Sequence, residues 1–208
     1  MAVTHRPWPT VMDGRKPRVD QTAVTQLSNA IDGLERRPAF VAIDGRSGAG
    51  KSTLARVMVE RHRASLIQMD DFYRVIDPNV RARLTPVEGV DLYFDWQRVR
   101  REAIEPLSRG DTARFQRYDW NANQLGSWEH VTAANVVIIE GVYSARLELA
   151  DLMDLRVLVE TPDSVRHERQ VLRNENRPDW IARWGAAEEL YFDDILPGNP
   201  ADLDVVGA

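Results

Sequence analysis

Gly45-Arg46-Ser47-Gly48-Ala49-Gly50-Lys51-Ser52-Thr53 packs three glycines, a lysine and three hydroxyl side chains into nine residues. The stretch fits the spacing G-x-x-x-x-G-K-[ST]. Phosphate oxygens need closely spaced backbone N–H donors, and glycines let the chain approach them without a Cβ in the way. A helix starting near Lys51 adds its positive N-terminal end. The Lys51 ammonium can then reach the β- and γ-phosphates, and the Ser52 hydroxyl can ligate Mg²⁺. Lys16 and Lys51 are the two lysines among 27 basic residues. A compact point charge stands at 51 where the chain otherwise uses the planar fork of arginine. Four fixed positions arise by chance in fewer than about one chain in a hundred of this length.

Carboxylates and arginines supply the rest of a phosphoryl-transfer site. Asp70 and Asp71 close one apolar run, Ser65 to Met69, and Glu140 closes another, Asn135 to Glu140. An acid at the end of a parallel strand faces the phosphate crevice. There Asp70 can accept a proton from an attacking hydroxyl, and Glu140 can hold Mg²⁺ directly or through water. Asp70 and Asp71 also suit the N-cap of a helix starting at Phe72, and Glu140 a plain strand-end position. Arg166, Arg169 and Arg173 fall on one helix face. They read either as a solvated surface or as a lid that brings positive charge to the transferring group.

These side chains need a scaffold, and the apolar periodicity supplies one. Val24, Leu27, Ile31 and Leu34 mark a helix from Val19 to Arg37, ended by Pro38. AFVAID (39–44), SLIQM (65–69), NVVIIE (135–140) and LRVLVE (155–160) read as strands, with a short last one from Leu203 to Val206. Helices are expected from Lys51 to about Arg63, from Trp96 to Ser108, from Pro162 to about Asn174 and from Trp180 to Ile195. Thr112 to Tyr118 suggests an edge strand, and residues 74–94 look irregular. Strands alternating with helices imply an α/β fold: a parallel sheet flanked by helices, with a small helical lid at about 161–180. Residues 1–22 read as an N-terminal arm and 23–208 as one domain.

Composition sets the outer limits. A chain of 208 residues with 43% hydrophobic content can bury a core. Without cysteine it has no disulfide and no thiolate chemistry. A net charge of −5 argues against a nucleic-acid partner. No apolar run is long enough for a membrane span, and no signal peptide is evident, so a cytoplasmic location is expected. No N-K-x-D guanine signature is present.

The motifs IDGRSGAGKST, MDDFYR, YFDW, RYDW, VVIIEG and RHERQVLRN occur in this order. In them the chain resembles the uridine kinase/phosphoribulokinase family of P-loop kinases, from about Phe40 to Val206. The resemblance implies an ATP- and Mg²⁺-dependent kinase acting on a hydroxyl of a small molecule, a nucleoside such as uridine or cytidine first. It implies that the loop, Gly45 to Thr53, binds the nucleotide. It assigns Asp70, Lys51 and Arg169 to catalysis, and Ser52, Glu140 and Asp70 to the metal. It places Tyr73, Tyr118, Asp119 and Arg166 around the acceptor. Two stretches depart from the family: EGVDLYFD lacks the usual histidine and proline, and NENRPD replaces the R-G-R of the lid. Other acceptors therefore stay open: a sugar, pantothenate, or a nucleoside monophosphate held by Arg74, Arg81, Arg83, Arg114 or Arg117. A non-catalytic nucleotide sensor is a further alternative. The expected partner is the acceptor molecule, and a homo-oligomer is compatible with the chain.

Overall fold

The computed structural model describes residues 19–172, 178–198 and 200–207. Its centre is a sheet of five parallel strands in the order β2-β5-β1-β6-β7. These are β1 (Ala39–Asp44), β2 (Ser65–Gln68), β5 (Val136–Glu140), β6 (Leu155–Glu160) and β7 (Leu203–Val206). β3 (Ala113–Asp119) and β4 (Gln124–Val131) form a separate antiparallel hairpin. The Thr112–Tyr118 segment thus pairs with a partner rather than edging the main sheet. β4 escaped the sequence reading because seven of its eight residues are exposed or half-exposed, so no apolar alternation marks it.

Side-chain alternation along the central strands builds two cores. Phe40, Val137 and Ile139 point to one face, and Val41, Ile43, Val136 and Ile138 to the other. The second face is covered by α1 (Gln21–Asp32) and α2 (Lys51–His62). Asp20 starts α1 by accepting from Ala23 N at 2.9 Å, and Gly33 ends it, short of the expected Arg37. Each fully buried Leu, Ile or Val here contributes about 1.5–3 kcal/mol.

The first face carries the aromatic core. The expected irregular stretch 74–94 contains two short helices, α3 (Pro78–Arg81) and α4 (Pro86–Leu92). A complete capping box between Thr85 and Glu88 starts α4. The helix expected from Trp96 to Ser108 is present, but it is not uniformly α. It runs through α5 (Trp96–Arg98), a π-helical stretch (Val99–Ile104) and α6 (Glu105–Ser108). After β5 come α7 (Leu147–Ala150) and α8 (Asp163–Leu172). α9 (Pro178–Glu189) continues through a π-helical turn, Leu190–Ile195. Arg173 and the NENR stretch lie outside the described residues, so the proposed lid is seen through α8 and the start of α9.

Candidate active site

Three adjacent parallel strands end side by side, because Glu140 of β5 registers with both Ile43 of β1 and Gln68 of β2. The segments leaving these strands are therefore gathered at one edge: the glycine loop after β1, Asp70 after β2, and the Glu140–Arg146 segment after β5.

The loop from Gly45 to Gly50 turns directly into α2. Gly45 and Gly48 have φ of 144° and 81°. A Cβ at Gly45 would stand 2.3 Å from Val159 O, and one at Gly48 would stand 2.8 Å from Arg166 O. Both positions need glycine for conformation and for space. Gly50 precedes α2 in the left-handed region, and no side chain caps the helix. Its N-terminal N–H groups and dipole are thus available to an anion. Lys51 is buried at 7% exposure, and its Nζ donates to Gly45 O at 2.7 Å and Arg46 O at 3.1 Å. Two of the three ammonium donors fix the side chain along the loop, and the third remains for a phosphate oxygen. Arg46 turns away from the loop, pairing with Asp193 at 2.6 Å and lying over the Phe192 ring.

Ser52 Oγ donates to Glu140 Oε1 at 2.9 Å. Burial pushes the Glu140 carboxyl up to about 7, and the nearby Asp70 charge adds to the rise. Lys51 and hydrogen bonds from Ser52 and Gln68 oppose it. A buried carboxyl whose charge the neighbouring Asp70 disfavours, with a hydroxyl beside it, would suit a hard dication, which reverses that penalty. Among the described residues no cluster of three or more acidic or imidazole groups forms. Mg²⁺ takes one or two carboxylates and fills its octahedron with water and phosphate oxygens.

Asp70 lies in a 3₁₀ turn, Met69–Phe72, and is exposed. The N-cap alternative for the aspartate pair fails: no α-helix begins at Phe72, and Asp71 is buried against Arg117 at 2.9 Å. Asp77 instead caps the next helix, accepting from Asn79 N and Val80 N.

Arg166 and Arg169 both reach the loop. Arg166 Nη1 donates to Ser47 O at 3.2 Å, and Arg169 Nη1 to Gly48 O at 2.9 Å. The face they share is therefore not simply a solvated one. Tyr73 is fully buried in an aromatic cluster, its ring 5.0 Å from Tyr118, 4.7 Å from Trp120 and 6.1 Å from Trp180. The Arg81 guanidinium lies over both Tyr73 and Trp180. Tyr118 donates to Asn123 Oδ1 at 2.6 Å. Asp119 accepts from Asn121 N and Ala122 N, which makes it the organiser of the β3–β4 turn. Of the arginines considered for an acceptor phosphate, Arg117 pairs with Asp71 and Glu129, Arg74 with Gln97 and Asp95, and Arg114 covers Trp128.

Two carboxylates here, Asp44 and Glu188, were not singled out from the sequence. Asp44, with no exposure, accepts from the N–H of Gly45 (2.7 Å), Tyr143 (2.9 Å) and Ala145 (2.9 Å) and from the Tyr191 hydroxyl (3.0 Å). Burial raises it to about 6 against those hydrogen bonds and the charge of Lys51. An acid ending an apolar strand was its visible signal. Glu188 and Trp184 of α9 hold Ser47 from the other side. Glu188 Oε1 accepts from Ser47 N (2.9 Å), Ser47 Oγ (2.6 Å) and Trp184 Nε1 (2.8 Å). Their i, i+4 spacing puts them on one helix face, but nothing local says what that face meets.

A glycine loop between a parallel strand and a helix, with acids on the neighbouring strand ends, defines a P-loop nucleotide-binding fold. The chain belongs to the Phosphoribulokinase / Uridine kinase family, whose model matches residues 40–178. It is 28% identical to a uridine kinase of Clostridium novyi over 148 residues, covering 66% of this chain and 69% of that enzyme. It is 23% identical to a uridine kinase-like protein of Arabidopsis thaliana, of which it spans 44%. Among solved structures, a possible uridine kinase from Bacillus stearothermophilus superposes with a TM-score of 0.70 at 20% identity. That alignment covers 88% of this chain and 97% of the other. A putative fructose transport system kinase from Silicibacter superposes with a TM-score of 0.59 at 21% identity. At these identities the two structures speak for the fold. No helix among the described residues is long and apolar enough to cross a membrane.

Proposed function

We propose that the chain transfers the γ-phosphoryl group of ATP to a hydroxyl of a small molecule, a nucleoside such as uridine or cytidine being the first candidate. The observation that carries this is the placement of Asp70. It stands exposed at the end of β2, close enough to Glu140 for its charge to raise that carboxyl, on the sheet edge where the glycine loop would hold phosphates. A phosphate acceptor is already an anion and has no use for such a base. An alcohol needs one.

In this reading the N-terminal N–H groups of α2 and the third Lys51 donor hold the β- and γ-phosphates. Ser52 and Glu140, with Asp70 at the margin, would hold Mg²⁺, which would offset the charge of the phosphates. Asp70 takes the proton of the acceptor hydroxyl while its oxygen bonds to the γ-phosphorus. The bond from that phosphorus to the β–γ bridging oxygen breaks, and ADP leaves. Arg169 and Arg166, already anchored on the loop, stabilise charge on the transferring group. Tyr73 and Tyr118, packed within the aromatic cluster, would back the acceptor rather than meet it on an open surface.

A second reading, a smaller alcohol such as a sugar or pantothenate, draws on Tyr93. It lies in the stretch that departs from the family pattern, and its ring packs 5.2 Å from both Trp180 and Trp184. ADP release coupled to uridine, cytidine, ribose, pantothenate and CMP distinguishes the readings. Turnover with CMP alone would transfer the assignment to a monophosphate kinase. ATP binding with no acceptor-dependent turnover would make the chain a sensor.

A further inference from the structure

Tyr143 combines two unfavourable features three residues after Glu140. Its φ is 68°, in the left-handed region that a bulky side chain rarely enters. Its hydroxyl is fully buried and finds no hydrogen-bond partner among the described residues. Buried hydroxyls are nearly always bonded, and backbone strain persists only where the surroundings enforce it.

Both features have identifiable causes. The backbone is held by Asp44, whose Oδ1 accepts from Tyr143 N and whose Oδ2 accepts from Ala145 N, each at 2.9 Å. The same carboxylate holds Gly45 N, so the glycine loop and the Tyr143 turn are bolted to one group. The ring is wedged against Tyr191 (4.6 Å), Phe94 (5.9 Å) and Trp184 (6.0 Å). The ring thus belongs to the aromatic cluster, and through Trp184 it is one contact away from Ser47 of the phosphate loop. The ionisable groups around the hydroxyl are Glu188, Asp44, Tyr93 and Arg146. Burial and the Glu188 and Asp44 charges raise its pKa, so the hydroxyl keeps its proton and remains a donor.

We infer that Tyr143 is an acceptor-binding residue: its hydroxyl donates to a polar oxygen of the acceptor and so helps select which alcohol is phosphorylated. This rests on the kinase reading above and deepens it. The partner missing from the hydroxyl is the substrate, and Asp44 sets its direction relative to the phosphates. Trp184 packs on the Tyr143 ring at 6.0 Å. Its indole, hydrogen-bonded to Ser47 Oγ at 2.9 Å, couples that ring to the phosphate loop.

The test is Tyr143→Phe, assayed with ATP and Mg²⁺ against uridine, cytidine, ribose and pantothenate, beside a thermal melt of the acceptor-free protein. Removing an unbonded buried hydroxyl while keeping the ring leaves Tm unchanged or raises it. With the acceptor that the wild type uses, KM rises between about 5- and 100-fold, as for a lost hydrogen bond in a dry site, and ATP affinity is unchanged. Ser144→Ala removes the neighbouring hydroxyl, also buried and without a partner among the described residues, and leaves KM alone. An unchanged acceptor KM in Tyr143→Phe overturns the inference, as does an equal rise in Ser144→Ala, because loop disturbance then explains both. A fall in Tm of several degrees overturns it even without an acceptor, since the hydroxyl is then bonded within the protein. A wild type silent on every acceptor overturns the kinase reading instead, and that result is separable from the others.

Discussion

Two clusters of reactive side-chain types sit around the same sheet, one at its strand ends and one on a covered face. In the first, Lys51, Ser52, Glu140 and Asp70 converge. In the second, Ser28 Oγ lies 3.1 Å from His62 Nε2, and His62 Nδ1 lies 3.6 Å from Asp32. By residue type the second set looks the more reactive, since serine, histidine and aspartate in that order have the make-up of a nucleophilic triad. Its surroundings say otherwise. Ser28 is fully buried in the middle of α1, against α2. A nucleophile there meets no substrate, and mid-helix N–H groups are already bonded, so they offer no oxyanion donors. The first cluster has what the second lacks: an uncapped helix N-terminus, an exposed acid and a loop shaped by glycine. Position relative to open backbone donors, not side-chain identity, separates a site from a tie between helices.

Substitution should separate the two clusters by orders of magnitude. Asp70→Asn keeps size and most hydrogen bonding but cannot accept a proton, so kcat should fall roughly 10²–10⁴-fold. ATP affinity without magnesium should hold. If affinity weakens only in the presence of magnesium, Asp70 is a metal ligand as well as a base. Wild-type turnover in this variant would remove the contrast between the clusters. Lys51→Arg comes next, with a loss of roughly 10²–10³-fold, the scale of one preorganised donor. Charge is retained, but a planar guanidinium cannot take the Gly45 and Arg46 carbonyls and a phosphate together. A kcat near that of wild type would count against the assigned role.

A smaller effect belongs to the contact between α9 and the loop. Glu188→Ala leaves Ser47 N, Ser47 Oγ and Trp184 Nε1 without their shared acceptor. Stability should drop by about 1–3 kcal/mol, visible as a Tm lower by several degrees. Activity should fall less than in Lys51→Arg, because Glu188 shapes the loop without holding a phosphate. A Tm equal to that of wild type would show that this contact is not formed in solution.

How much of this the sequence revealed depends on how local each feature is. β1, β5 and β6 are buried apolar runs and were legible almost to the residue. So was the glycine loop, whose spacing is its own signature. Asp70 and Glu140 were singled out by the rule that strand ends face the crevice, and the register across β1, β5 and β2 brings those strand ends side by side. The π-helical stretch, Val99–Ile104, carries no marker distinguishing it from α-helix. Trp184 and Glu188 meet Ser47 across well over a hundred residues, and no periodicity encodes a partner so distant. Tyr143 was hidden for a related reason: its left-handed backbone is imposed by Asp44, far away in the chain. The acceptor remained open for the same cause, since α4, the hairpin and α9 converge on the aromatic cluster from three directions.

The smallest expected effect concerns the cluster on the covered face. Burial lowers the His62 pKa from its ordinary 6.5, the charges of Arg61 and Arg37 lower it further, and Asp32 pulls it up. A depressed histidine binds a proton more readily unfolded than folded, so the unfolded state carries more protons just below pH 6.5. Stability therefore rises with pH in that window. The contribution of neutral His62 is complete above the unfolded pKa and is lost as pH falls through the folded one. Melting the wild type and His62→Gln from pH 7.5 to 5 isolates it, provided slopes rather than heights are compared, because the substitution also disturbs the Ser28 contact. The wild-type curve should fall more steeply below pH 6.5. Asp32→Asn sharpens the point: removing the charge that favours protonation should depress the pKa further and steepen the fall. Parallel curves for all three proteins would mean that His62 titrates alike folded and unfolded. Activity at constant temperature should stay insensitive to both substitutions well below Tm, because His62 ends α2 while the phosphate loop begins it, a full helix length away.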